Sequence, residues 1–102
     1  IKACDFCGTT SGKDIDKFKA LKLTRGKGSI VNNPIIKECP VNIECRVLQV
    51  ISLGTHDMFI GEVINVNADE DVIYSDGEID YDKINMLSYL MGYYFRNVII
   101  KK

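Results

Sequence analysis

The chain is short of the features that most readily give a function away. Its 102 residues hold one histidine and two prolines, and the formal net charge is only −1. A nearly neutral chain lacks a broad cationic field, which speaks against nucleic acid or an anionic membrane as a partner. Lysines gather only locally, from Lys13 to Lys22 and at the last two positions. No apolar run approaches the ~20 residues of a membrane span, and no signal-peptide pattern is visible. There is no catalytic acid–base pair or activated nucleophile, no internal repeat and no low-complexity linker. The length suits one domain, residues 1–102, which can cover roughly 60–65% of its unfolded surface. Hydrophobic content of 46% and charged content of 26% are ordinary for a globular protein.

What is present is a long apolar hairpin. Val41, Ile43, Cys45 and Val47 alternate with Asn42, Glu44 and Arg46, the period of two that marks a half-buried strand. The phase then slips, with Leu48 and Val50 carrying the apolar face, so a β-bulge is expected near Val47-Leu48. The chain turns at Gly54-Thr55-His56-Asp57 and returns from Met58 to Val66, apolar on both sides as far as Ile64. A strand of that kind needs cover on both faces. His56, at the tip, is the only histidine, although polar residues populate turns for local reasons as well.

Four cysteines, at 4, 7, 39 and 45, admit three readings. Cys4-x-x-Cys7 has zinc-ligand or redox spacing, but Cys39 and Cys45 form no second knuckle, and no βαβ pattern surrounds the pair. Alternation places Cys45 on the side expected to be buried. Disulfides suit secreted proteins. Reduced thiols without metal, in a cytoplasmic protein, are the expectation.

Along the chain, Ile1 to Gly8 reads as a strand end entering a loop, Thr9 to Gly12. Ser11 with Asp14 makes a capping-box-like start, and Ile15, Phe18 and Leu21 mark the buried side of a short helix over 13–23. Arg25-Gly26-Lys27-Gly28 is too glycine-rich to continue it. Asn32-Asn33-Pro34 turns into a short strand, 34–38. After the hairpin come an acidic turn at 67–71, a short edge strand at 72–74, and Ser75 to Asp80. That last stretch is oxygen-rich, yet it lacks the acidic spacing of a calcium loop and reads as a turn. Residues 81–86 read as one helical turn. Tyr89, Tyr93 and Tyr94 suit amphipathic packing at an interface.

The residues also carry a resemblance. Glu38-Cys39-Pro40, Glu44-Cys45 and Gly54-Thr55-His56 followed by Phe59-Ile60-Gly61-Glu62-Val63 resemble the flavin reductase and flavoredoxin family. Cys7-Gly8-x-x-Ser11-Gly12 with Asp16-Lys17-Phe18 is similar to its flavoredoxin branch. The tyrosine-rich segment ending at Arg96 is similar to its closing segment, although Asn97-Val98 stand where the family has Leu-Gly. The resemblance implies a mostly β fold: an incomplete, FMN-binding split β-barrel with one short helix after the first loop. It implies FMN at Ser11, Gly12, Lys17 and Phe18, and His56 guiding the nicotinamide or substrate. Electrons would pass from NADH or NADPH through the flavin, in a homodimer or higher homo-oligomer.

Family members are roughly twice this length, so the expectation is a C-terminal portion of the pattern that begins inside a domain. The competing reading is a non-enzymatic split-barrel remnant, an interaction or structural module without flavin.

Overall fold

The computed structural model describes residues 1–96. The apolar run Val98-Ile99-Ile100, which the sequence adds to the surface in need of cover, lies outside the described residues.

Alternation builds the central hairpin. Strand β3 (Val41–Ser52) pairs antiparallel with β4 (Asp57–Ala68), Val41 opposite Ala68 and Ser52 opposite Asp57. Val47 opposes Gly61 and Gln49 opposes Ile60, so Leu48 is the extra residue of the expected bulge. A second bulge lies in β4, where Ile64 falls between the Glu44–Asn65 and Cys45–Val63 pairs. A bulge in each strand bends and twists the ribbon. The tip closes with the Leu53 amide donating to the His56 carbonyl at 2.9 Å, and Gly54 takes the positive φ, 89°, that the turn requires.

The burial is the reverse of the expected one. Ile43, Val47, Val50, Phe59, Val63 and Val66 are exposed, Phe59 to 66%. Cys45 is exposed too, which corrects the expectation that alternation buries it. The buried residue of the hairpin is instead Glu44, 2% exposed on the polar face. Its face is taken by a second, small hairpin, and a loop amide needs an acceptor where an apolar side chain does not. Strand β1 (Arg25–Lys27) pairs with β2 (Pro34–Ile36), Arg25 opposite Ile36 and Lys27 opposite Pro34. The glycine-rich stretch lies beyond the helix, as expected, and forms a strand.

Two helical segments precede β1. Helix α1 (Lys2–Thr9) occupies the stretch read as a strand end, because its hydrogen bonds are local and no alternation opposes them. The helix read over 13–23 contracts to α2 (Lys17–Ala20). Ser11 caps a separate turn, accepting from the Lys13 amide at 3.2 Å, while Asp16 caps α2 by accepting from the Lys19 amide. At the other end Lys22 adopts φ 55°, Leu23 N–H reaches Phe18 O and Lys22 N–H reaches Lys19 O. That is a Schellman ending, and it stops the helix one turn after it starts.

Past β4, a 3-10 turn (Glu70–Val72) leads to a single bridge between Ile73 and Ile79. Asp80, 6% exposed, accepts from the Tyr74 hydroxyl at 2.9 Å and from the Asp82 amide. The helical turn expected at 81–86 is a hydrogen-bonded turn at 81–83. Strands β5 (Leu87–Leu90) and β6 (Tyr93–Arg96) form the last hairpin, turning at Met91 and Gly92 with φ of 51° and 89°. The edge strand read at 72–74 amounts to the one bridge.

Among the described residues the result is three separate two-stranded sheets with no closed barrel. Among the described residues Val72 is the only buried hydrophobic. The chain exposes 8694 Å², against about 5,800 Å² for a compact protein of 11.5 kDa. Its radius of gyration is 15.6 Å, where about 13 Å is usual for this length. This is an incomplete, mostly β split barrel with one face of its central hairpin uncovered.

Candidate functional site

The first loop, α2 and β1 border an open cavity of about 510 Å³ lined by Gly12, Lys13, Asp14, Ile15, Asp16, Lys17, Phe18 and Arg25. Gly12, Lys17 and Phe18, three residues that the sequence singles out, are therefore together. Ser11 stands one residue outside the lining. His56 is not part of it; its ring Nδ1 lies 2.9 Å from the Thr55 hydroxyl on the hairpin tip.

Arg25 is the lining residue that sequence reasoning passes over. Its guanidinium carbon stands 4.7 Å from the centroid of the Phe18 ring, and one guanidinium nitrogen reaches both Asp16 carboxylate oxygens at 3.1 Å. The Lys19 amide and then the Arg25 charge hold the Asp16 carboxyl below its usual range. A basic residue nine positions after an acidic N-cap gives little sequence signal, because only the turn into β1 brings the two together. Lys17 is half-buried and its ammonium donates to the Cys7 carbonyl at 2.6 Å. It thereby satisfies an orphan carbonyl in the last turn of α1 and places a cation where the helix dipole favours one. Lys17 thus ties α1 to α2 across the loop.

The second group the sequence misses is a buried polar cluster on β3 and β4. Glu44 accepts from the Ser29, Ile30 and Val31 amides at 2.7–2.9 Å and from the side-chain amides of Asn65 and Asn67. The Val31 amide first, with Asn67 and Asn65, holds its carboxyl far below the ordinary value of 4.5 against the opposing effect of burial. Alternation marks Glu44 as a solvent-facing residue. Only Asn65 and Asn67, repeating at the strand period, hint that this face is clasped.

A smaller cavity of about 250 Å³ lies between α1 and the β5–β6 hairpin, lined by Cys4, Asp5, Gly8, Thr9, Tyr89 and Tyr94. Tyr94 donates to the Asp5 carboxylate at 3.1 Å, and its ring stands 5.1 Å from that of Tyr89. Burial first, then Asp5, pushes the Tyr94 hydroxyl up to about 12. Tyr94 therefore packs within its own chain, whereas Tyr89 and Tyr93 are exposed. The four cysteines are free thiols. Among the described residues no His, Cys, Asp and Glu side chains gather as a metal site, and no helix is long and apolar enough to cross a membrane.

Known proteins of the same kind are recognisable. A protein of Archaeoglobus fulgidus is 38% identical over 73 residues, covering 72% of this chain and 40% of that protein. The structure of flavoredoxin from Desulfovibrio vulgaris superposes with a TM-score of 0.87 at 30% identity, over 100% of this chain and 55% of that one. A split-barrel domain protein of Shewanella frigidimarina superposes with a TM-score of 0.77 over 99% of this chain and 52% of that one. At 21% identity that last likeness concerns the fold alone. The chain thus spans about half the length of the proteins it matches. The model of the flavin reductase like domain matches residues 1–86, and the chain belongs to that family.

Proposed function

We propose that the chain is the C-terminal portion of an FMN-dependent oxidoreductase of the flavin reductase and flavoredoxin kind. The observation that carries this reading is the convergence of Gly12, Lys17, Phe18 and Arg25 on one cavity. A flavin nucleotide presents a phosphate and a planar aromatic ring, and this lining suits both. Lys13, Lys17 and Arg25 outnumber Asp14 and Asp16, Gly12 adds no side chain, and about 510 Å³ is in the range of a ligand site. In this reading Arg25 and Lys17 hold the phosphate, with the Ser11 hydroxyl as a further donor, and Phe18 supplies apolar contact to the ring. When bound, the flavin supplies the hydride and electron chemistry.

The remaining tasks fall to the chain. Asp16 keeps the Arg25 guanidinium in one orientation, so less freedom is lost on binding. Lys17 holds the loop to α1 through the Cys7 carbonyl. His56, exposed on the hairpin tip, guides a nicotinamide by donating a hydrogen bond to its carboxamide or phosphates. NADH or NADPH would be the hydride source, in a cytoplasmic protein. A second copy of the chain would cover the apolar face of β3 and β4, in a homodimer or higher homo-oligomer.

The visible spectrum of the purified intact protein tests the reading. A yellow protein that releases FMN on denaturation supports it. A colourless protein that takes up no added FMN supports the competing reading of an interaction module.

A further inference from the structure

We propose that Asn42 and Glu44 are positioning residues for the Arg25–Phe18 wall of the cavity, an inference that rests on the flavin reading above. Neither lines the cavity. They project from the same face of β3, two residues apart, and each clasps one end of the β1–β2 hairpin. Asn42 accepts from the Ile36 amide at 3.0 Å and donates to the carbonyls of Ile36 and Cys39, both at 3.1 Å. Ile36 is the register partner of Arg25. At the loop end, Glu44 is the resident anion of a cradle made by three successive amides, Ser29 to Val31. The fit is close enough that a Cβ on Gly28 would stand 2.9 Å from the Glu44 carboxylate and 2.7 Å from the Val31 carbonyl.

Two strands of three residues cannot fix their own place on a larger sheet. The clasp does it, and the consequence reaches the cavity through Arg25. Its backbone is set by Ile36, and its guanidinium is set against Phe18 and Asp16. A hairpin free to shift by an ångström would carry Arg25 off the ring and away from a phosphate, a displacement of the size that matters in a preorganised site. Glu44 suits this task better than an amide would. All five of its partners are N–H donors, so a glutamine NH2 would face donors wherever it turned.

The test uses Glu44→Gln and Asn42→Ala in the intact protein, with two readouts: FMN affinity, and the NMR signals of the Phe18 ring and the Arg25 guanidinium in flavin-free protein. Both variants should weaken FMN binding by about tenfold and shift the Phe18 and Arg25 signals. The signals of the β5–β6 hairpin should stay as in the parent. Parental FMN affinity in a folded variant overturns the proposal, as does a change confined to the Ser29–Val31 amides. If the parent binds no FMN, the flavin reading fails, and the Phe18 and Arg25 signals alone decide the positioning role. If Glu44→Gln does not fold, Asn42→Ala decides by the same two readouts.

Discussion

Arg25 caps the Phe18 ring, its guanidinium carbon 4.7 Å from the ring centroid, while it holds Asp16 through both carboxylate oxygens. Three residues of different chemistry therefore act as one wall. Both members of the ion pair are about half exposed or more, so it contributes little to folding. Its worth lies in presenting a planar donor. Arg25→Lys should leave thermal unfolding essentially unchanged but weaken FMN binding by about tenfold, because an ammonium neither stacks nor makes paired bonds to phosphate. Calorimetry and flavin titration on the same samples check both halves.

His56 is predicted to act apart from that wall, since it does not line the cavity. His56→Ala should raise the nicotinamide KM by about tenfold and leave FMN affinity within severalfold, the pattern of a lost substrate contact. Steady-state kinetics with flavin-saturated protein measures the first and fluorescence titration the second. A collapse of FMN affinity with nicotinamide kinetics unchanged would reverse the assignment.

Two backbone positions should respond in opposite directions. Lys22 holds a left-handed conformation that glycine adopts without strain, so Lys22→Gly should stabilise the chain by about 0.5–1 kcal/mol. Gly28→Ala should destabilise it by about 1–3 kcal/mol, because the new methyl meets the Val31 and Asn33 carbonyls and the Glu44 carboxylate. Urea unfolding of the two variants beside the parent gives both signs.

The acid and alkaline limits of stability trace to different residues. Glu44 has its carboxyl held below 4.5 in the folded chain, so its contribution is complete above that pH and is lost as the pH falls further. Glu44→Gln should flatten the acid limb of the stability profile. Tyr94 shifts the other way. Its hydroxyl ionises near 12 when folded and at about 10 when unfolded, so its contribution is present below pH ~10 and lost as the pH rises towards 12. Ultraviolet titration of Tyr94→Phe beside the parent should remove the most alkaline tyrosine transition.

The central hairpin was legible because a period of two, a phase slip and a Gly-x-His turn leave direct marks on the residues. Its strands, its tip and the Leu48 bulge all lie where the pattern places them. Which face is covered was not legible. Alternation tells two faces apart, but what packs on each depends on chain far away in sequence, and here Glu44 is buried while Phe59 is open. The candidate site divides in the same way. Gly12, Lys17 and Phe18 lie within one local segment, and motif resemblance finds them. Arg25 joins them only through the Schellman turn at Lys22 and the β1–β2 hairpin, which no local pattern announces. Helix α1 is not legible in the sequence because its composition favours neither period, and short-range hydrogen bonds decide the matter.

Titration of FMN into the intact protein and into a Phe18→Ala, Arg25→Ala double variant tests the central claim most directly. The account predicts saturable binding to the parent, with the flavin band perturbed, and a dissociation constant raised by at least about a hundredfold in the double variant. Equal affinity of parent and variant would place the flavin elsewhere and contradict the account.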